Sequence, residues 1–127
     1  MHRNVLLAIL TGATIVLAMP AIAATLTCMP TTLCIDDACQ AGHDDRLAIR
    51  LRDWTLAHPV LESDYGKVRM ERGKGDEPMQ WTGMNAEGRS ETLTFWPATM
   101  QFVHVVTMEL TSVISAITAS GHCEVTK

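Results

Sequence analysis

Three of the four cysteines fall in one short run, Cys28-Met29-Pro30-Thr31-Thr32-Leu33-Cys34-Ile35-Asp36-Asp37-Ala38-Cys39, and the fourth, Cys123, is close to the C-terminal Lys127. If Cys123 pairs at all, its partner lies near the start of any mature domain, so the two ends of that domain are tied together. An even number of cysteines behind an export signal reads as two disulfides, for which three connectivities exist. A hairpin with Asp36-Asp37 at its tip sets Ile35 opposite Ala38 and Cys34 opposite Cys39. The latter is a non-hydrogen-bonded pair with Cα atoms about 4.5 Å apart, within reach of a disulfide. Cys28 is then left for Cys123. Cys28–Cys34 with Cys39–Cys123 is the alternative. Zinc or redox chemistry is not expected, because there is no C-x-x-C and the cysteine spacings match no common zinc site.

The first residues have the three parts of a secretory signal. His2 and Arg3 supply a positive start, Val5 to Met19 an apolar run, and Ala21-Ile22-Ala23 a small-x-small cleavage site. Residues 1–23 are therefore expected to be removed, leaving no stable membrane span and placing the mature chain in the periplasm or outside the cell. The remaining domain, 24–127, has about 104 residues (127 minus 23). Its core is modest, and disulfides would supplement it. The net charge of −4 becomes about −5 when Arg3 leaves, which argues against nucleic acid as a partner.

Along the mature chain, polar residues 40–45 read as a loop. Leu47, Ile49 and Leu51 alternate with Arg50 and Arg52, and Val68 and Met70 alternate with Lys67, Arg69 and Glu71. Both stretches are signatures of half-buried strands. Asp64-Tyr65-Gly66 and Gly73 to Asp76 read as turns, Met79 to Met84 and Thr92 to Trp96 as strands, and Asn85-Ala86-Glu87-Gly88 as the hairpin loop between them. From Met100 to Ala119 a helical spacing of Val106, Leu110, Val113 or Ile114, and Ile117 competes with a high density of β-branched residues. The latter favours two strands, about 100–108 and 113–119, bending at 109–112. Ser120-Gly121 would lead into a last strand, 122–126, that brings Cys123 beside Cys28, and pairing of the first and last strands in this way would close a small barrel. The expected fold is all-β: a small, disulfide-tied antiparallel barrel or sandwich of seven to eight short strands.

No catalytic constellation is apparent, and an enzyme is not expected. The acidic neighbours at 36–37, 44–45 and 76–77 would point to opposite faces of a strand. Gly42-His43-Asp44-Asp45 reads as a solvated loop rather than a cation site, His104 as a satisfied or edge residue of an apolar strand rather than a base, and Ser90-Glu91 as a turn. No metal or organic cofactor is implied. Binding is easier to motivate. Trp54, Trp81 and Trp96 sit near strand ends, where aromatic residues often serve recognition. Arg50, Arg52, Lys67 and Arg69 would share the outer face of neighbouring strands as a small positive stripe. The resulting expectation is a binding or structural module of the periplasm or cell envelope, its partner a protein or envelope component.

The run Tyr65-Gly66-Lys67-Val68-Arg69-Met70-Glu71-Arg72-Gly73-Lys74-Gly75-Asp76-Glu77 resembles the periplasmic inhibitors of c-type lysozyme, small disulfide-tied β-barrels in which two loops enter the lysozyme cleft. The resemblance implies Tyr65 as the tyrosine of one loop, with Ser63 near it, and Lys74-Gly75 as the other loop. On that alternative both would lie on one exposed edge. The general architecture also resembles small exported proteins of Gram-negative bacteria.

Overall fold

The computed structural model describes residues 24–42 and 45–127, together with Gly12. Apart from Gly12, the expected signal segment 1–23 and the His43-Asp44 part of the polar loop lie outside the described residues. The strands are β1 (Thr25–Ile35), β2 (Ala38–Ala41), β3 (Ile49–Arg52), β4 (Val60–Ser63), β5 (Gly66–Arg69), β6 (Glu71–Arg72), β7 (Met79–Met84), β8 (Ser90–Trp96), β9 (Gln101–Leu110) and β10 (Val113–Thr126). All pairings are antiparallel, in the order β5-β4-β3-β1-β10-β9-β8-β7-β6, with β2 added beside β1. The sheet curls into a nearly closed barrel.

Both disulfides join residues that face each other in register. Cys28–Cys123 links β1 to β10, and Cys34–Cys39 links β1 to β2, with Cα separations of 3.9 and 4.0 Å. The hairpin argument for Cys34–Cys39 holds although Asp-Asp is a poor tip sequence. Asp36 takes the left-handed conformation (φ 50°), and its carboxylate accepts a hydrogen bond from the Ala116 amide at 3.0 Å. That contact, with the Asp36 amide donating to the Ala116 carbonyl at 2.8 Å, carries the β1–β10 ladder into the turn.

The β-branched stretch forms strands rather than a helix. β9 and β10 pair from Gln101–His122 to Leu110–Val113, and Thr111 and Ser112 both adopt positive φ at the tip. A two-residue turn of this hand matches the twist of the flanking strands, and it forms here without the glycine that such turns usually take. Four expectations need correction. Gln40 and Ala41 belong to β2 rather than to a loop, and 60–63 is an additional strand. Ser120-Gly121 does not separate two strands, because β10 runs unbroken. Gly121 fits beside the β1 bulge between Pro30 and Thr32; a Cβ there would strike the Met29 carbonyl oxygen. Pairing of the first and last strands, although present, does not close the barrel.

Closure happens elsewhere, along the segment 66–72. Its first half, β5, pairs with β4, and its second half, β6, pairs with β7. Between them the Met70 amide donates to the Pro59 carbonyl at 2.8 Å. At the seam β5 packs against β7 at Gly83, where an added Cβ would stand 2.7 Å from the Arg69 carbonyl oxygen and 2.6 Å from Met70 Sδ. Inward residues alternate along every long strand and fill the interior with Leu26, Leu51, Leu61, Met70, Trp81, Leu93, Phe95 and Phe102.

Gly83→Ala should therefore lower the urea midpoint, at a cost of about 1–3 kcal/mol from overpacking at the seam. The Cys28→Ala/Cys123→Ala pair should cost about 2–5 kcal/mol in the same measurement.

Candidate functional site: the upper end of the barrel

The strand directions sort the loops between two ends. The β4–β5 turn, the β7–β8 loop, the β1–β2 turn and the β9–β10 tip lie at one end, called upper here; the β3–β4, β6–β7 and β8–β9 connections and both described termini lie at the other. Tyr65 is consequently at the upper end. Lys74 and Gly75, in the exposed β6–β7 turn, are at the lower end, where Lys74 borders a groove with Thr55 to His58. The structure does not bring Tyr65 together with Lys74-Gly75.

The tryptophans are also dispersed. Trp81 is fully buried in the core, so it contributes nothing to a recognition surface. Trp54 is half-buried under the lower end, edge-on to Phe95 at 6.2 Å between ring centroids. Trp96 faces outward and lines a groove of about 490 Å³ with Thr99, Gln101 and His122. The positive stripe is corrected as well. β3 and β5 are separated by β4, and Glu62 on β4 bonds Arg52 Nε at 2.7 Å and approaches Lys67 Nζ at 3.3 Å. The Arg52 hydrogen bond, assisted by Lys67 and opposed by partial desolvation, holds the Glu62 carboxyl below the usual range.

Sequence reasoning missed a polar cluster inside the upper end. Glu91 is on β8 rather than in a turn, and shares the inward face with Leu93 and Phe95. His104 on β9 shares it with Phe102 and Val106. Residues 91 and 104 are diagonal neighbours across the β8–β9 ladder, and His104 Nε2 lies 2.9 Å from Glu91 Oε1. Arg89 Nε donates to the other oxygen, Glu91 Oε2, at 3.4 Å. The arginine in turn lies over the Tyr65 ring, 5.7 Å from its centroid. A carboxylate buried to 1% exposure is costly unless charge-assisted hydrogen bonds compensate it, and these two groups supply them. The signal was present in the sequence: on a strand reading, Glu91 and His104 both carry the parity of core residues. Arg89 and Tyr65 thus bridge the β7–β8 loop to the β4–β5 turn across the upper seam.

Beneath Tyr65 lies a cavity of about 40 Å³ lined by Leu33, Ile49, Tyr65, His104, Val106 and Ile117. That is room for a water or two, far less than the about 300 Å³ at which organic ligand sites begin. The barrel interior is packed rather than hollow. Among the described residues no three His, Cys, Asp or Glu side chains converge as a metal site would require, and no helix is long and apolar enough to cross a membrane.

What the upper end does present is an arm. β1 and β10 continue past the end of β3, β9 continues past β8, and β2 is added to form a four-stranded extension, β2-β1-β10-β9. Three of the most exposed large apolar side chains are on it: Ile35, Val113 and Ile114, at 53%, 62% and 74%. Ile35 and Val113 share one face of the arm with half-buried Leu33, Met108 and Ile117, which carry it down to the cavity, and Ile114 is on the opposite face.

Two titrations probe this geometry. Burial, followed by the charges of Asp64 and Glu91, raises the pKa of Tyr65 above its ordinary 10.0, while Arg89 counteracts. The phenolate absorbance of this single tyrosine should therefore titrate above pH 10.0, and higher still in Arg89→Ala, with Arg89→Lys restoring the wild-type midpoint. For Glu62 the folded carboxyl is the more acidic one, so its stabilisation is full above the ordinary value of 4.5 and is lost as pH falls through the folded pKa. Glu62→Gln should flatten the acid limb of the Tm–pH profile while costing under about 1 kcal/mol at neutral pH.

No family model, curated protein or solved structure matches the chain. Two disulfides in a domain of this size fit an oxidising, extracellular-type environment.

Proposed function

We propose that this protein is an exported binding module of the periplasm or cell envelope, and that it works through the arm at the upper end of the barrel. The observation that carries this reading is the exposure of Ile35, Val113 and Ile114 on an extension tied by Cys34–Cys39 and by the Asp36–Ala116 bonds. Exposed apolar residues on a pre-ordered surface favour association, because little conformational entropy remains to be lost when a partner docks. A packed interior, with a cavity of only about 40 Å³ beneath Tyr65, supports binding by an outer surface over catalysis in a cleft. The signal-like segment 1–23 supports export, and the cleavage site and compartment are part of the same proposal.

A second reading, inhibition of a lysozyme-type enzyme, draws support from the exposed Lys74-Gly75 turn. It would have to act through that turn without Tyr65.

The test is capture of cell-envelope components by the purified, oxidised protein, with Val113→Asp/Ile114→Asp and Lys74→Ala run alongside. Loss of capture in the double variant only, with an unchanged Tm, is the expected result. Recovery of a lysozyme that depends on Lys74 would instead establish the inhibitor reading, and capture indifferent to both variants would overturn the arm as the working surface.

A further inference from the structure

The arm ends in an edge strand whose backbone pattern specifies what can bind it. Ile35 and Ala38 flank the two-residue turn as a hydrogen-bonded pair, which makes Cys34–Cys39 non-hydrogen-bonded and Leu33–Gln40 bonded again. The Gly42 amide donates to the Thr31 carbonyl at 3.0 Å in the same alternation. Cys39 and Ala41 therefore turn their N–H and C=O groups away from β1, along an edge that no strand covers among the described residues. All four β2 residues are exposed. Natural edges are blunted by shortness, lysine, proline or a bulge. Ala38-Cys39-Gln40-Ala41 is short but has no lysine, proline or bulge, and Cys34–Cys39 holds it in place.

We propose that the outer edge of β2 is a strand-addition site for an extended segment of a partner protein, apolar at alternate positions and basic at one end. An alternating row of outward donors and acceptors is complemented by another extended backbone. Side chains of the added strand that share the face of Ala38 and Gln40 lie beside these two residues, with Ile35 and Leu33 directly behind them on β1, which selects apolar residues at every second position. The end that overhangs the exposed Asp36-Asp37 turn meets negative charge, which selects lysine or arginine. A second copy fits less well, since it would add another acidic turn to a chain already at net −4. The inference deepens the arm reading and rests on it.

Ala41→Pro isolates the interaction. It deletes an outward N–H while leaving the bonds from β2 to β1 intact, a placement an edge strand tolerates. Random linear peptides displayed on phage are selected against the oxidised protein, and the selected peptides are synthesised and titrated. The expected result is enrichment of alternating apolar sequences with a basic end, binding about tenfold weaker to Ala41→Pro and unchanged for Ala41→Ser. Amide exchange at Cys39 and Ala41 of the unsubstituted protein should slow when peptide is added, a readout that stands even if the proline variant fails to fold. No enrichment, or peptides that leave exchange at Cys39 and Ala41 unaltered, would overturn strand addition. Envelope capture lost in Val113→Asp/Ile114→Asp but kept in Ala41→Pro would leave the arm reading standing and remove this one. Capture insensitive to both would remove the arm reading itself.

Discussion

The structure depends on the pairing of β1 with β10. This ladder runs from Thr25–Thr126 to Ile35–Ile117, joins the two ends of the described chain, and stands in the middle of the strand order rather than at its margin. Pairing between such distant residues is the entropically costly step in assembling a β domain. Cys28–Cys123 acts on that step, because it restricts the unfolded chain to conformations in which the ladder's partners are already close. Strands on either side are then added, β3 to β5 on one flank and β9 to β6 on the other, until the two flanks meet at the seam.

The seam and the polar cluster are linked. β5 and β7 approach without a ladder between them, and the approach is possible because residue 83 lacks a side chain. At the upper end of the same seam, Arg89 spans the remaining distance by lying over Tyr65 while its guanidinium is anchored on Glu91. Glu91 is in turn fixed by His104. Buried charge is therefore used here to hold two turns in relation, a task that a non-directional apolar contact would perform less specifically.

Much of the fold was legible because its signals are local. Alternation marked Ile49 to Arg52 and Met79 to Met84, turn chemistry marked Asn85 to Gly88, and two-residue arithmetic paired Cys34 with Cys39. The rest depended on non-local geometry. Whether Arg52 and Lys67 form a stripe depends on which strand lies between β3 and β5, and that strand carries Glu62. Tyr65 and Lys74 are nine residues apart along a nearly continuous strand, so proximity in sequence places them at opposite ends. Trp81 and Trp96 differ in burial because their parities differ, not because of their distance from a turn. Glu91 and His104 could have been paired only with the β8–β9 register in hand.

The bridge between Cys28 and Cys123 also has a topological consequence. It encloses every connection from the β1–β2 turn to the β9–β10 tip, including the exposed turns at Gly73 to Glu77 and Ala86 to Gly88. A peptidase that cuts once within this circle opens a ring instead of releasing a fragment. The two pieces stay one molecule, joined at the centre of the sheet, and the ladder on either side of the cut can re-form without a search for its partner.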